Sequence, residues 1–108
     1  MGGRLQEEET LIDQEIVNEL IELAPESWRS IILEVTCEQS GENVGSYDHV
    51  VWSPEGHKDI VTSSDKIFDA TYRLGMLFEQ FGRHWRKVTY RVHCQEDGSW
   101  KYKVNFEY

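Results

Sequence analysis

The chain has 108 residues, 39% of them hydrophobic, with 4 Trp, 5 Tyr and 4 Phe, enough apolar material for one folded core and too little for two. Its formal charge of −9 is unevenly spread: residues 1–60 carry 14 acidic and 3 basic side chains, residues 61–108 carry 6 and 8. An acidic half repels nucleic acid and anionic lipid and attracts basic partners.

No stretch approaches the roughly 18 apolar residues of a membrane span, and an N-terminus running into Glu7, Glu8 and Glu9 is not a signal peptide. A cytoplasmic protein is therefore expected, with no membrane contact. Nucleic-acid binding is also not expected, unless the open face of the basic half supplies it alone.

Residues 1–8 read as a loose polar lead-in. A helix is expected over about residues 9–24, where Ile12, Ile16, Leu20 and Leu23 recur at helical spacing and Val17 and Ala24 widen the stripe. Glu8, Glu15, Glu19 and Glu22 share another flank, read first as a solvated face. Pro25 ends the helix because it cannot continue the hydrogen-bond ladder. Residues 28–38 alternate as a strand, with Ile31, Leu33, Val35 and Cys37 on one face and Ile32, Glu34, Thr36 and Glu38 on the other. A turn cluster at 40–43 leads to a second strand over about 45–53. Pro54-Glu55-Gly56 marks the next turn, and 57–61 is a candidate short third strand.

Ser63 or Ser64 is the expected N-cap of a second helix, with Asp65 favourable in its first turn. Ile67, Ala70, Leu74, Leu77, Phe78 and Phe81 form its core stripe, and Gly82 fits the stop. A second stripe of Phe68, Tyr72 and Gly75, with Met76 beside it, faces elsewhere. It is expected to pack on the first helix, the alternative being partial exposure toward a partner.

The last segment is the most legible. Val88, Tyr90, Val92 and Cys94 alternate with polar residues, and Trp100, Tyr102, Val104 and Phe106 do so again after Glu96-Asp97-Gly98. A two-residue turn would set apolar against charged side chains. A three-residue loop, with Gly98 in the left-handed region, pairs Cys94 with Trp100, Val92 with Tyr102, Tyr90 with Val104 and Val88 with Phe106. Trp100→Ala is then expected to cost about 3–5 kcal/mol, as for a buried large aromatic. The order α-β-β-(β)-α-β-β predicts an α+β two-layer domain. It would have an antiparallel sheet of four to five strands, both helices on one face and the other face polar.

The chemistry-bearing residues are scattered. Cys37 and Cys94 sit at apolar strand positions and read as two buried thiols, with no clustered spacing for zinc. His49, His57, His84 and His93 are isolated; His49 and His93 could meet across the sheet, though ordinary surface imidazoles are the stronger reading. There is no phosphate-cradling glycine loop and no nucleophile elbow, so no enzyme, cofactor or metal is expected. Aromatic and basic residues interleave in the hairpin as they do in single-strand RNA binders. Here, however, the rings and the cations fall on opposite faces, so the rings are core.

Ala24-Pro25-Glu26-Ser27-Trp28 opening a strand after an acidic amphipathic helix resembles the corresponding segment of YezG-like immunity proteins. The close, Asp97-Gly98-Ser99-Trp100-Lys101-Tyr102-Lys103-Val104-Asn105-Phe106-Glu107-Tyr108, looks like that family's last strand. The helix with Leu77, Phe78 and Phe81 followed by Trp85 also fits, so the likeness runs in order from about residue 10 to 108. The resemblance implies an antidote to a bacterial polymorphic or contact-dependent toxin. It would be a cytoplasmic protein that neutralises one cognate toxin domain, with Pro25, Trp28, Trp85, Gly98, Trp100, Phe106 and Tyr108 as fold determinants and no catalytic residues.

Joined to the charge pattern, this predicts a basic, nuclease-like toxin domain as partner, and a chain that is monomeric alone and 1:1 in the complex. The candidate contacts are Glu34, Glu38, Glu42, Asp48, Glu55 and Asp59 on the first strands and their loops. Glu15, Glu19 and Glu22 on the first helix are the second acidic patch. The alternative function is a non-enzymatic adaptor or homo-oligomer using Phe68, Tyr72 and Met76.

Overall fold

The computed structural model describes residues 3–38, 46–56 and 61–108. Along the chain run α1 (Gly3–Leu23), β1 (Ser30–Glu38), β2 (Ser46–Trp52), α2 (Asp65–Gln80), β3 (Lys87–Cys94) and β4 (Trp100–Glu107). The four strands form one antiparallel sheet in the order β2-β1-β3-β4, so the first and last hairpins are joined through β1 and β3. Both helices contribute to a single core on one sheet face, giving the expected α+β two-layer domain.

Period-two alternation explains which residues meet. Ile31, Leu33 and Val35 of β1 lie opposite Val92, Tyr90 and Val88 of β3, and all six are buried. The helices close over them with Ile12, Ile16, Val17 and Leu20 from α1 and Ile67, Ala70, Leu74, Leu77 and Phe78 from α2. The hairpin register is the one the alternation dictates, with Cys94 opposite Trp100 through Val88 opposite Phe106. Gly98 has φ of +88°, and its amide donates to the Gln95 carbonyl at 3.0 Å. Ser64 caps α2, its hydroxyl accepting from the Ile67 amide at 3.4 Å.

Several expectations are corrected. Residues 3–8 are the first turns of α1 rather than a loose lead-in, because Leu5 extends the apolar stripe and is buried in the core. Phe81 is the C-cap of α2 and is exposed, so it does not join the core stripe. The stripe of Phe68, Tyr72 and Met76 does not pack on α1: the three are 45%, 54% and 43% exposed. His49 and His93 do not meet. His49 pairs with Val35 on the core face, whereas His93 pairs with Ser30 on the opposite face. The cysteines are free and half-buried, one at each end of the β1–β3 ladder. The candidate strand at 57–61 falls mostly outside the described residues, and Val61 forms a single bridge to Val51.

Candidate interaction surface

Two broad faces are available to a partner: the outer side of the helices and the uncovered side of the sheet. On the helices, ten acidic residues stand against three basic ones. Arg73 spans the interhelical groove, reaching Glu15 of α1 at 2.8 Å and Asp69 of α2 at 3.0 Å; these carboxylates hold its guanidinium above the ordinary arginine range. Glu19 accepts from the Ser64 hydroxyl at 3.0 Å and lies 4.0 Å from Lys66. These ties leave Glu7, Glu8, Glu22, Asp65 and Glu79 at the surface with no cation partner among the described residues. The groove between the helices, about 690 Å³, is lined by Glu8, Leu11, Glu15, Arg73 and Met76.

Helical spacing places Phe68, Tyr72 and Met76 one turn apart on a side of α2 turned away from the core, with Asp65, Asp69 and Glu79 around them. Leu11 of α1, 64% exposed, lines the same groove as Met76. The stripe is held from below at its Phe68 end. The His49 ring meets Phe68 edge-on at 4.6 Å, and its Nε2 is 3.1 Å from the Thr71 hydroxyl. Burial lowers the His49 pKa below the usual imidazole value, keeping the ring neutral near pH 7. Gly75 lets the Tyr47 hydroxyl lie against the helix, where a Cβ would collide with it.

The uncovered sheet face is different in kind. Reading across from β2 to β4, one row is Trp52, Ile32, Arg91 and Lys103, and the next is Val50, Glu34, Thr89 and Asn105. A third row is Asp48, Thr36, Lys87 and Glu107. Glu34 is neutralised by Lys87 at 3.2 Å. Arg91 lies opposite Lys103 and His93 opposite Lys101, so the β3–β4 half of this face is cationic.

The sequence candidates are thus only partly brought together. Glu34 and Asp48 share the open face by register, and Glu38 is the last residue of β1. Glu55 lies away from them, its Oε2 accepting from the Arg29 and Ser30 amides at 2.8 and 2.9 Å and from the Ser53 hydroxyl at 3.1 Å. That carboxylate closes the start of β1. Glu42 and Asp59 lie outside the described residues. Glu15, Glu19 and Glu22 do share one face of α1, along the groove with Lys66, Asp69 and Arg73.

One group went unread in the sequence. Asp13 of α1 is buried, and the Tyr90 hydroxyl donates to its Oδ1 at 2.6 Å. Burial, and then the neighbouring Glu9, push its pKa up to about 8, against the lowering effect of the Tyr90 hydrogen bond. A charged residue at i+1 of Ile12, on the edge of an apolar stripe, was the available signal.

Among the described residues no cluster of three or more His, Cys, Asp or Glu could hold a metal ion, and no helix is long and apolar enough to cross a membrane. Compared with known proteins, the chain matches no family model and no curated sequence.

Proposed function

We propose that this protein is a binding module for a basic protein partner, acting as the cytoplasmic antidote of a bacterial toxin domain of nuclease type, and that the helical layer is its contact face. The observation that carries the reading is the stripe of Phe68, Tyr72 and Met76. These large apolar side chains are roughly half exposed on a regular helix and rimmed by Asp65, Asp69 and Glu79. Aromatic and methionine side chains at the centre of a patch, with charge at the rim, are what protein interfaces use. The apolar centre sets the off-rate, and the acidic rim steers a cationic partner. The ordered likeness to YezG-like immunity proteins supplies the partner class, and occlusion of a toxin's cationic substrate surface supplies the mode of neutralisation.

The test is co-expression with the product of the neighbouring gene, which this reading expects to carry a toxin domain. The intact chain should restore growth and co-purify 1:1 with the toxin domain. Tyr72→Glu combined with Met76→Glu should lose both while staying folded. No complex with the wild-type chain would overturn the antidote reading. Protection that survives the double variant but falls on reversal of Glu34 and Asp48 would move the site to the sheet. The adaptor reading rests on the same stripe and differs in its partner; the growth assay separates the two.

A further inference from the structure

The two edges of the sheet are finished differently. Beyond β2, Val51 bridges to Val61 and the His49 ring is tied to α2. Beyond β4 no strand lies among the described residues. The core side of that edge is also incomplete: Val88, Tyr90 and Val92 of β3 are buried, whereas Trp100, Tyr102, Val104 and Phe106 of β4 are each only half-buried. An apolar row that stops half-covered at an open edge is a template for another strand.

Backbone direction fixes which residues of β4 are available. The Gln95 amide donates to the Ser99 carbonyl at 2.7 Å, so the backbone of Ser99 points toward β3. By antiparallel alternation Lys101, Lys103, Asn105 and Glu107 also point inward, and Trp100, Tyr102, Val104 and Phe106 turn their amides and carbonyls outward.

We propose that β4 is a self-association edge, on which a second copy of this chain pairs antiparallel about a two-fold axis at Val104. The sequence is self-complementary in that register. On the core side Val104 faces its own copy, Tyr102 faces Phe106 and Trp100 faces Tyr108. On the open side Lys101 faces Glu107 and Lys103 faces Asn105, each pair occurring twice. The residues opposite one another at the axis are those with free outward backbone groups, so the ladder and the side chains agree. Sliding by one step sets Lys103 against Lys103, which is repulsive. Sliding the other way sets Lys103 against Glu107 but leaves Lys101 with no acidic residue of β4 opposite it. Lysines on an edge ordinarily repel a second strand; here Glu107, 59% exposed and 3.9 Å from its own Lys87, is placed to answer them.

The result is a continuous eight-stranded sheet with all four helices on one side, because the axis is perpendicular to the sheet. The Phe68 stripe adjoins β2, the edge away from the axis, so each copy keeps its helical contact face free.

The experiment is sedimentation of the full chain from about 1 μM to about 1 mM, the range in which a single-strand interface should titrate. The mass should rise from 12.7 kDa to twice that value. Val104→Pro, which removes an outward amide from an edge strand that tolerates proline, should leave a monomer. Glu107→Lys should weaken the dimer at least tenfold, and Lys101→Glu added to it should restore the dimer by exchanging the charges. A wild-type mass of 12.7 kDa at the highest concentration would overturn the proposal. So would a dimer indifferent to the β4 variants but dissolved by Tyr72→Glu.

Discussion

The helical layer and the open sheet face show two ways of carrying charge. On the helices most acids go unanswered, and the few cations, Arg73 and Lys66, serve to staple α1 to α2. On the sheet, acid and base are interleaved by strand register: Glu34 is neutralised by Lys87, and the cationic excess is confined to β3 and β4. The acidic run of residues 1–60 supplies α1 on one face and β1 and β2 on the other. Net charge along the chain therefore says that a cationic partner is favoured, but the topology decides where it can sit. On the sheet, exposed Val50 and Trp52 have the single unanswered acid Asp48 beside them, whereas on the helices the exposed apolar stripe is set among several.

The two faces share one core, and the largest expected effect comes from opening it. Leu33→Ala, at a fully buried position on β1, should cost about 2–5 kcal/mol in denaturant unfolding and loosen both faces together. Trp100→Ala should cost less, about 2 kcal/mol, because Trp100 lies half-exposed on the edge strand instead of within the core as its alternation suggested. A loss near that of Leu33→Ala would show that the β4 row is covered in solution, as a second copy would cover it.

The seam between the faces is the Asp13–Tyr90 hydrogen bond, and it gives a pH signature. Asp13 ionises near 3.8 when unfolded and at about 8 when folded, so between these values the folded state holds a proton that the unfolded state has lost. Stability from this group therefore falls as pH rises from about 4 to about 8 and is level beyond, by an amount on the order of a few kcal/mol. Asp13→Asn keeps an acceptor for Tyr90 and a donor toward Glu9 without the ionisation. It should raise stability at pH 7–8 and flatten the profile. An Asn variant less stable than wild type at pH 8 would mean that the carboxylate is charged in the fold and answered there.

Surface changes should act on binding and leave stability within about 0.5 kcal/mol. Tyr72→Glu with Met76→Glu should weaken the proposed complex with a toxin domain by about 30-fold or more, as expected for apolar anchors at an interface centre. Glu8→Lys and Glu22→Lys should act mainly on the association rate and its salt dependence, by about three- to tenfold. Asp48→Lys on the sheet should change affinity least.

Much of this was legible in the sequence because the two periods are clean. The alternation in residues 88–106 fixes the face and register of the last hairpin, and the spacing of Ile12, Ile16 and Leu20 fixes the buried side of α1. The illegible part was relational. Glu34, Asp48 and Glu55 look alike in sequence, yet one is neutralised by Lys87, one lies exposed on the open face and one accepts amide hydrogens at the start of β1. The outward stripe of α2 reads as packing until α1 is seen to lie on its other side, against Arg73 and Leu77.

The contact face is tested most directly by a nuclear magnetic resonance titration of the isotope-labelled chain with the proposed toxin partner, reading amide and methyl shifts residue by residue. The largest changes should fall on Phe68, Tyr72 and Met76 and on the facing flank of α1 at Leu11 and Glu15, with the open sheet face quiet. Shifts concentrated on Asp48, Val50 and Trp52, or on Arg91 and Lys103, with α2 unmoved, would contradict it.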